Sequence, residues 1–306
     1  MLSNISKRNA VANSPEHINP QFACPAVVVA NLHAPFTLLP PATERQSQVV
    51  ATSPHSGRNY PQHFLHQAAV ALDDLRKVED AAMDKLLTFQ PLPCAVLMAE
   101  FPRSFVDVNR NSDELDPRMF DGPIGDIMPT ASRYLRAGLG MIPSKAANQQ
   151  NIYSAPLPAQ EADFRRNHFY RPYHDALRAE LTKASNVGPA LLLDCHSMPS
   201  SLFGVDADVI IGSNHGVSAE AWMVDEAVSF FSREGLKTRL NTPFSGGFVT
   251  KHYGQPAHNI SALQIEVCRS LYLDETKVTL NDNWQATASV LARFIMRMDE
   301  LTARHR

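Results

Sequence analysis

Two histidines, His55 and His196, stand where side chains from different strands could meet. Each follows an apolar run that predicts a β-strand, residues 48–52 for His55 and residues 190–193 for His196. In sheets of this kind, functional sites form at the carboxyl ends of strands. Neutral imidazoles there suit zinc, and a catalytic zinc takes three protein ligands and keeps one position open. The pair therefore indicates a metal site that needs a third ligand.

The third ligand is expected to be a carboxylate or another histidine. Five acids crowd the segment after His55, although acids at the start of a helix are also favoured by the helix dipole without any metal. These acids are Asp73, Asp74, Glu79, Asp80 and Asp84. Asp194 lies two residues before His196, so on a strand the two side chains share a face, and Asp194 could orient the histidine.

Glu266 and Arg110 are the other charged residues in unusual positions. Glu266 lies inside the apolar run 263–267, where a charge is costly unless it is paired or used. It is either a general base or one half of an ion pair with a residue such as Arg269. Arg110 ends the β-like run 105–110, where a guanidinium could clamp a carboxylate or simply begin a surface loop.

A covalent nucleophile is not indicated. Ser56 and Ser197 each follow a candidate histidine, but neither lies in the GxSxG sequence of a nucleophile elbow. Cys195 alternates with Asp194 and His196 along the strand, so its thiol is expected to point into the core.

The elements that would position these residues are those of an α/β fold. Buried apolar runs predict strands, amphipathic segments predict helices, and their alternation indicates a mainly parallel or mixed central sheet. The predicted strands cover 26–30, 48–52, 94–101, 190–193 and 262–267, and the predicted helices cover 79–89, 165–184, 218–234 and 283–301. Residues 111–158 are rich in Pro, Gly, Asp and Asn and predict a long irregular region. We expect a flexible arm at 1–20 and a single catalytic domain at 21–306.

Composition narrows the class of protein. The chain has 306 residues, of which 44% are hydrophobic and 19% charged, as in globular proteins. A net charge of -3 provides no basic field for nucleic acid or an anionic membrane. No run approaches the ~20 apolar residues of a membrane span, and the polar, mixed N-terminus leads us to expect no secretory signal. The four scattered cysteines form no CxxC pair and are expected to be reduced, so we expect a cytoplasmic protein.

Eight short motifs, taken in order, resemble the N-formylglutamate amidohydrolase family. They run from about residue 49 to residue 272, and their specificity comes from their order. The motifs are Pro54-His55-Ser56-Gly57 with Tyr60-Pro61; Glu79-Asp80 with Asp84; Arg103 and Phe105 with Asp107-Val108-Asn109-Arg110; Gly138-Leu139-Gly140-Met141-Ile142-Pro143; Pro172-Tyr173-His174; Asp194-Cys195-His196-Ser197-Met198; Asn241-Thr242-Pro243-Phe244-Ser245-Gly246-Gly247; and Gln264-Ile265-Glu266 with Leu271-Tyr272.

The family is similar to the zinc carboxypeptidases and the aspartoacylase-type amidohydrolases. This resemblance implies a three-layer α/β/α fold with a mixed, mostly parallel central sheet. It also implies one zinc ion per chain, or another divalent metal, with His55 and His196 as ligands. The carboxypeptidase HxxE motif would place an acid where this chain has Arg58. The family's acidic position instead matches Asp80, with Glu79 as the alternative.

The resemblance also implies a reaction. The enzyme would hydrolyse the amide bond of N-formyl-L-glutamate to formate and L-glutamate, as in histidine catabolism, with water activated by the metal and by Glu266. Asn109 and Arg110 would bind the substrate's α-carboxylate, and a guanidinium such as that of Arg110 would help to hold the developing negative charge. Candidates for binding the second carboxylate are Arg133, Arg136, Arg171 and Tyr253.

Two other functions remain open from the sequence. The same scaffold could hydrolyse another N-acyl amino acid or a short peptide, or it could be a catalytically inactive binding protein. The retained set of His55, His196, Glu266 and Arg110 argues against an inactive protein. Neither the oligomeric state nor the native metal follows from the sequence.

Overall fold

A computed structural model of the chain describes residues 28–29, 34–124, 132–201, 204 and 206–305. The expected N-terminal arm lies outside the described residues. The strands are β1 Val28–Val29, β2 Phe36–Leu39, β3 Val49–Ser53, β4 Asn59–Tyr60, β5 Ala95–Ala99, β6 Ala190–Met198, β7 Val209–Gly212, β8 Thr238–Leu240, β9 Ile260–Cys268, β10 Leu273–Asp274 and β11 Thr279–Leu280. The α-helices are α1 Gln62–Gln67, α2 Leu72–Arg76, α3 Met83–Leu87, α4 Arg133–Arg136, α5 Gln160–Arg165, α6 Arg171–Ser185, α7 Ala221–Arg233, α8 Phe248–Tyr253 and α9 Trp284–Arg304.

Seven of these strands form the central sheet, in the order β2-β5-β3-β6-β9-β7-β8. The four middle strands β5, β3, β6 and β9 run parallel to one another. β2 is antiparallel to β5, and β7 is antiparallel to β9 while pairing in parallel with β8. The expected mixed, mostly parallel sheet is confirmed. It brings the carboxyl ends of β3, β6 and β9 side by side.

Helices cover both faces of this sheet because its central strands are apolar on both sides. Val49 and Leu191 pack in one core cluster with buried residues of α3, α7 and α9. Their neighbours Val50 and Leu192 point to the opposite face and pack in a second cluster with residues of α1, α6 and α8. The expected three-layer α/β/α arrangement is confirmed, and Cys195 is buried in the first cluster as predicted.

Several element boundaries differ from those predicted, and two of the differences affect the site. The helix expected from residue 79 begins only at Met83, because Ala82 adopts a left-handed backbone with φ of 61°. Glu79 and Asp80 therefore lie in a turn before α3. The strand expected to end at residue 193 continues to Met198, because β6 pairs with β9 along its whole length, so His196 lies within a strand.

None of the helices in the described part of the chain is both long and apolar enough to cross a membrane.

Candidate active site

Three buried side chains meet near the carboxyl ends of β3 and β6. One ligand atom from each of His55, Asp80 and His196 lies within 4.8 Å of the others. Asp80 Oδ2 is 2.9 Å from His196 Nδ1 and 3.5 Å from His55 Nδ1. The Asp80 amide also donates to the His55 carbonyl oxygen at 2.9 Å, which ties the two segments together. Two imidazoles and a carboxylate form a donor set suited to a catalytic zinc.

The second ring nitrogen of each histidine faces a further carboxylate. His55 Nε2 is 2.7 Å from Asp107 Oδ1, and His196 Nε2 is 3.1 Å from Asp194 Oδ2. A carboxylate in this position accepts the Nε2 proton and leaves the Nδ1 lone pair for a metal. The sequence indicated this role for Asp194. It gave no role to Asp107, although Asp107 stood inside one of the motifs.

The residues fit a divalent cation. His55 Nδ1 is buried and has no hydrogen-bond partner among the described residues. Burial alone would lower the pKa of His196, but the carboxylates of Asp194 and Asp80 raise that pKa well above its ordinary value. The site therefore attracts positive charge, and a metal ion would supply it while giving His55 Nδ1 a partner.

The geometry separates the two neighbouring acids that the sequence left as alternatives. Asp80 faces the two histidines, whereas Glu79 Oε1 accepts a hydrogen bond from Tyr60 at 2.6 Å. Glu79 Oε1 also lies 3.4 Å from Arg76 Nε. Of the two acids, Asp80 has the position of a metal ligand.

Glu266 lies on β9, directly paired with His196 of β6, beside the group formed by His55, Asp80 and His196. It lines a cleft of about 390 Å³ together with both histidines. Burial raises the pKa of Glu266 to about 7. Its Oε1 accepts a hydrogen bond from Gln264 Nε2 at 2.7 Å. Arg269, which the sequence suggested as an ion-pair partner for Glu266, instead contacts Asp80. This leaves Glu266 as a buried carboxylate that faces the cleft.

Three arginines line the same cleft: Arg103, Arg110 and Arg133. Arg110 Nε donates to the Leu139 carbonyl at 2.9 Å and its Nη1 donates to the Asn109 carbonyl at 2.8 Å. Within the described part of the chain its Nη2 makes no hydrogen bond. The Tyr134 ring centre lies 4.4 Å from Arg110 Cζ and 4.8 Å from Arg133 Cζ, so both guanidinium groups border one wall.

Arg103 was not predicted as a site residue. Its Nη2 donates to Asp107 Oδ2 at 2.8 Å, next to the His55 ring. Burial alone would raise the pKa of Asp107, but His55 and the guanidinium groups of Arg103 and Arg110 hold it well below its usual range. One signal was available in the sequence, because Arg103 follows an apolar β-run as Arg110 does.

Some predicted substrate-binding residues lie outside the cleft. Arg136 lines a separate cavity with Lys145. Tyr253 is buried and its hydroxyl is 2.9 Å from His174 Nδ1. Arg171 is exposed and donates to Asn167 Oδ1 at 2.7 Å. Only Arg133 of this group lies where it could reach a ligand beside Glu266.

Asn109 lines the cleft, but its amide group is already engaged. Its Oδ1 accepts a hydrogen bond from the Val249 amide at 2.8 Å, and its Nδ2 lies 3.0 Å from His196 Nε2 and 3.4 Å from Asp194 Oδ2. Gly247 allows this contact, because a Cβ there would lie 2.4 Å from the Asn109 amide atoms. Asn109 therefore joins the loop before Arg110 to α8 and β6.

Comparison with known proteins shows clear similarity to one family. The family model described as N-formylglutamate amidohydrolase matches residues 47–273. N-formylglutamate deformylase from Pseudomonas putida is 30% identical over 194 residues, which cover 61% of this chain and 67% of that protein. The protein of the same name from Pseudomonas aeruginosa is 31% identical over 196 residues, with the same two coverages of 61% and 67%.

Solved structures agree with the sequence comparison. A crystal structure of N-formylglutamate amidohydrolase from Ralstonia eutropha JMP134 has a TM-score of 0.83 and 32% identity, and the match covers 89% of this chain and 100% of that one. A gene product from Agrobacterium tumefaciens, with 17% identity and a TM-score of 0.61 over 86% of this chain and 94% of its own, shares the fold.

Proposed function

Since this chain belongs to the N-formylglutamate amidohydrolase family and is an amide hydrolase, we propose that it hydrolyses N-formyl-L-glutamate to formate and L-glutamate with one zinc ion. The observation that carries this proposal is the meeting of a buried His-Asp-His group, a buried glutamate and three arginines in one cleft. The names of the relatives supply the substrate. We propose that the reaction belongs to histidine catabolism in the cytoplasm.

The metal would be held by His55 Nδ1, Asp80 Oδ2 and His196 Nδ1. When bound, zinc supplies a Lewis acid that polarises an amide carbonyl and lowers the pKa of water toward ~7. Asp107 and Asp194, which face the two Nε2 atoms, would hold the imidazole rings in the tautomer that presents Nδ1. The side of the His55-Asp80-His196 group that faces the cleft would then be open to the substrate.

Glu266 is the proposed general base. Gln264 holds its Oε1, which leaves Oε2 to take the proton from the attacking water. As the bond between the formyl carbon and nitrogen breaks, Glu266 delivers that proton to the nitrogen of the departing glutamate. A pKa of about 7 suits a group that must accept and then release a proton near neutral pH.

The three cleft arginines have separate proposed tasks. Arg103 lies beside His55 and Asp107, where its guanidinium can stabilise the negative charge that develops on the carbonyl oxygen. Arg110 is proposed to bind the α-carboxylate, because a guanidinium matches the planar shape of that group. Arg133, on the same wall beside Tyr134, is proposed to bind the second carboxylate of glutamate.

Substrate choice tests this function. We expect kcat/KM for N-formyl-L-glutamate to exceed that for N-formyl-L-glutamine by at least about tenfold, or roughly 1.4 kcal/mol, because the glutamine analogue lacks the second charge. Arg133→Met should remove most of this preference. Arg136→Met is the matched control, since Arg136 lies on the same helix but lines the other cavity, and it should retain the preference.

Three outcomes would contradict the deformylase function. Equal kcat/KM values for the two substrates, or activity only on bulkier acyl chains, would indicate a general N-acyl amino acid hydrolase. Zinc binding without turnover of any N-acyl amino acid would indicate a binding protein.

A further inference from the structure

Arg269 follows β9 directly, and its guanidinium packs against the turn that carries Asp80. The residue is buried, with 9% of its surface exposed. Its Nη2 donates to the Glu79 carbonyl at 2.6 Å, and its Nη1 donates to the Lys77 carbonyl at 3.2 Å. Its Nε donates to Ser197 Oγ at 3.1 Å. One guanidinium therefore joins the turn before α3 to β6.

The same guanidinium holds one oxygen of the Asp80 carboxylate. Asp80 Oδ1 lies 3.4 Å from Arg269 Nη2 and accepts a hydrogen bond from Ser197 Oγ at 3.3 Å. Its other oxygen, Oδ2, is the one that faces His55 and His196. The two contacts to Oδ1 thus decide which oxygen is presented to the histidines.

We propose that Arg269 is a positioning residue, which fixes Asp80 so that Oδ2 alone is presented to the metal and which thereby strengthens metal binding. The inference rests on the proposed metal site. Asp80 lies in a turn rather than on a helix, so its carboxylate needs support from side chains to keep one orientation. Residues that orient a metal ligand typically contribute about 10–100-fold to metal affinity.

Orientation and charge predict opposite effects of removing Arg269. A guanidinium near Asp80 repels a metal cation, so loss of charge alone would tighten metal binding. Loss of orientation would weaken it. The two contacts to backbone carbonyls and the contact to Ser197 indicate that Arg269 is rigidly held, so we expect orientation to dominate.

The test is the zinc dissociation constant, measured by competition with a chromophoric chelator. We expect Arg269→Met to weaken zinc binding by about 10–100-fold and Ser197→Ala to weaken it less, in the same direction. Arg45→Met is the matched control, because Arg45 binds the buried Asp299 away from this site. It should bind zinc as the unaltered protein does. Melting of each metal-free variant checks that the fold persists.

The outcomes separate the inference from the function on which it rests. Unchanged or tighter zinc binding by a folded Arg269→Met variant would overturn the role of Arg269 while leaving the metal site intact. If Arg269→Met does not fold, Ser197→Ala decides alone, and unchanged affinity in that variant overturns the inference. Absence of zinc binding by the unaltered protein would contradict the proposed function as well.

Discussion

Glu266 and Asp80 are both buried carboxylates, yet their surroundings give them different properties. Burial alone would raise the pKa of Asp80, but contacts with His196 and His55 hold it well below its usual range. For Glu266, burial dominates and raises the pKa to about 7. One acid is therefore suited to hold a cation, and the other is suited to exchange a proton. Such a pair with separated pKa values is typical of an acid–base active site.

Replacement of Glu266 tests its proposed role in proton exchange. Glu266→Gln keeps the shape of the side chain and removes the base, so turnover of N-formyl-L-glutamate should fall by ~10²–10⁴-fold. Zinc content should not change, because Glu266 is not a proposed ligand. Turnover and zinc per chain are measured on the same preparation. A variant with unaltered turnover would make Glu266 a structural residue.

The sequence identified the residues that break a pattern. His55, His196 and Glu266 were visible because polar side chains lie in or after apolar runs. Asp107 and Arg103 were not assigned, because Asp107 contacts a histidine 52 residues away along the chain and Arg103 in turn contacts Asp107. Tyr253 was proposed for substrate binding, but its hydroxyl is turned to His174. The direction in which each of these side chains points does not follow from composition or spacing.

At the scale of elements, the loop that carries Asp107 and Arg110 is held by α6 and α8. His174 belongs to α6. Its Nε2 lies 2.9 Å from the Val108 carbonyl oxygen, and its Nδ1 lies 2.9 Å from the Tyr253 hydroxyl oxygen. Burial lowers the pKa of His174 to about 3, so the ring stays neutral in the folded protein. A neutral ring can donate through Nε2 and accept through Nδ1 at once.

The lowered pKa of His174 predicts how the stability of the fold depends on pH. Its folded pKa lies below the ordinary value of about 6.5. Below that pH the unfolded chain binds a proton that the folded protein does not, so His174 destabilises the fold as pH falls from about 6.5 toward 3. Between pH 7 and pH 5 its contribution should amount to about 1–2 kcal/mol of unfolding free energy.

His174→Gln removes this proton while retaining a donor and an acceptor. The unfolding free energy of the variant should therefore decrease less between pH 7 and pH 5 than that of the unaltered protein, both metal-free. Urea unfolding at the two pH values measures the difference. His66→Gln, an exposed histidine on α1, is the control and should follow the unaltered protein. Parallel pH dependence in all three proteins would remove His174 from this account.

Element boundaries show where sequence patterns reach their limit. The pattern predicted a helix through Glu79 and Asp80, because acids and apolar residues there have helical spacing. A single left-handed residue, Ala82, delays the helix, and Asp80 lies in the turn before it with its carboxylate facing the histidines. The pattern ended β6 at residue 193 because polar residues follow, but one face of the continuing strand borders the cleft. At a functional site, polar residues within a strand serve the chemistry rather than marking its end.

At the scale of the whole molecule, one sheet has a core cluster on each face and the site at the carboxyl ends of its central strands. The first cluster packs β3, β6 and β9 against α9, and the second packs β3 and β6 against α6. This shared sheet supports the proposal that residues 21–306 form a single catalytic domain. The fold class followed from alternating strands and helices, whereas the strand order required the long-range pairings of the structure.

The central claim is that the group formed by His55, Asp80 and His196 holds the one metal ion that the reaction needs. Its most direct test is formate release from N-formyl-L-glutamate while zinc is titrated into the metal-free protein. We expect no turnover before zinc is added, a linear rise, and a break at one zinc per chain. His196→Ala should stay inactive under the same titration. Full turnover by protein shown to contain no metal, or full activity of His196→Ala at one zinc per chain, would contradict the account.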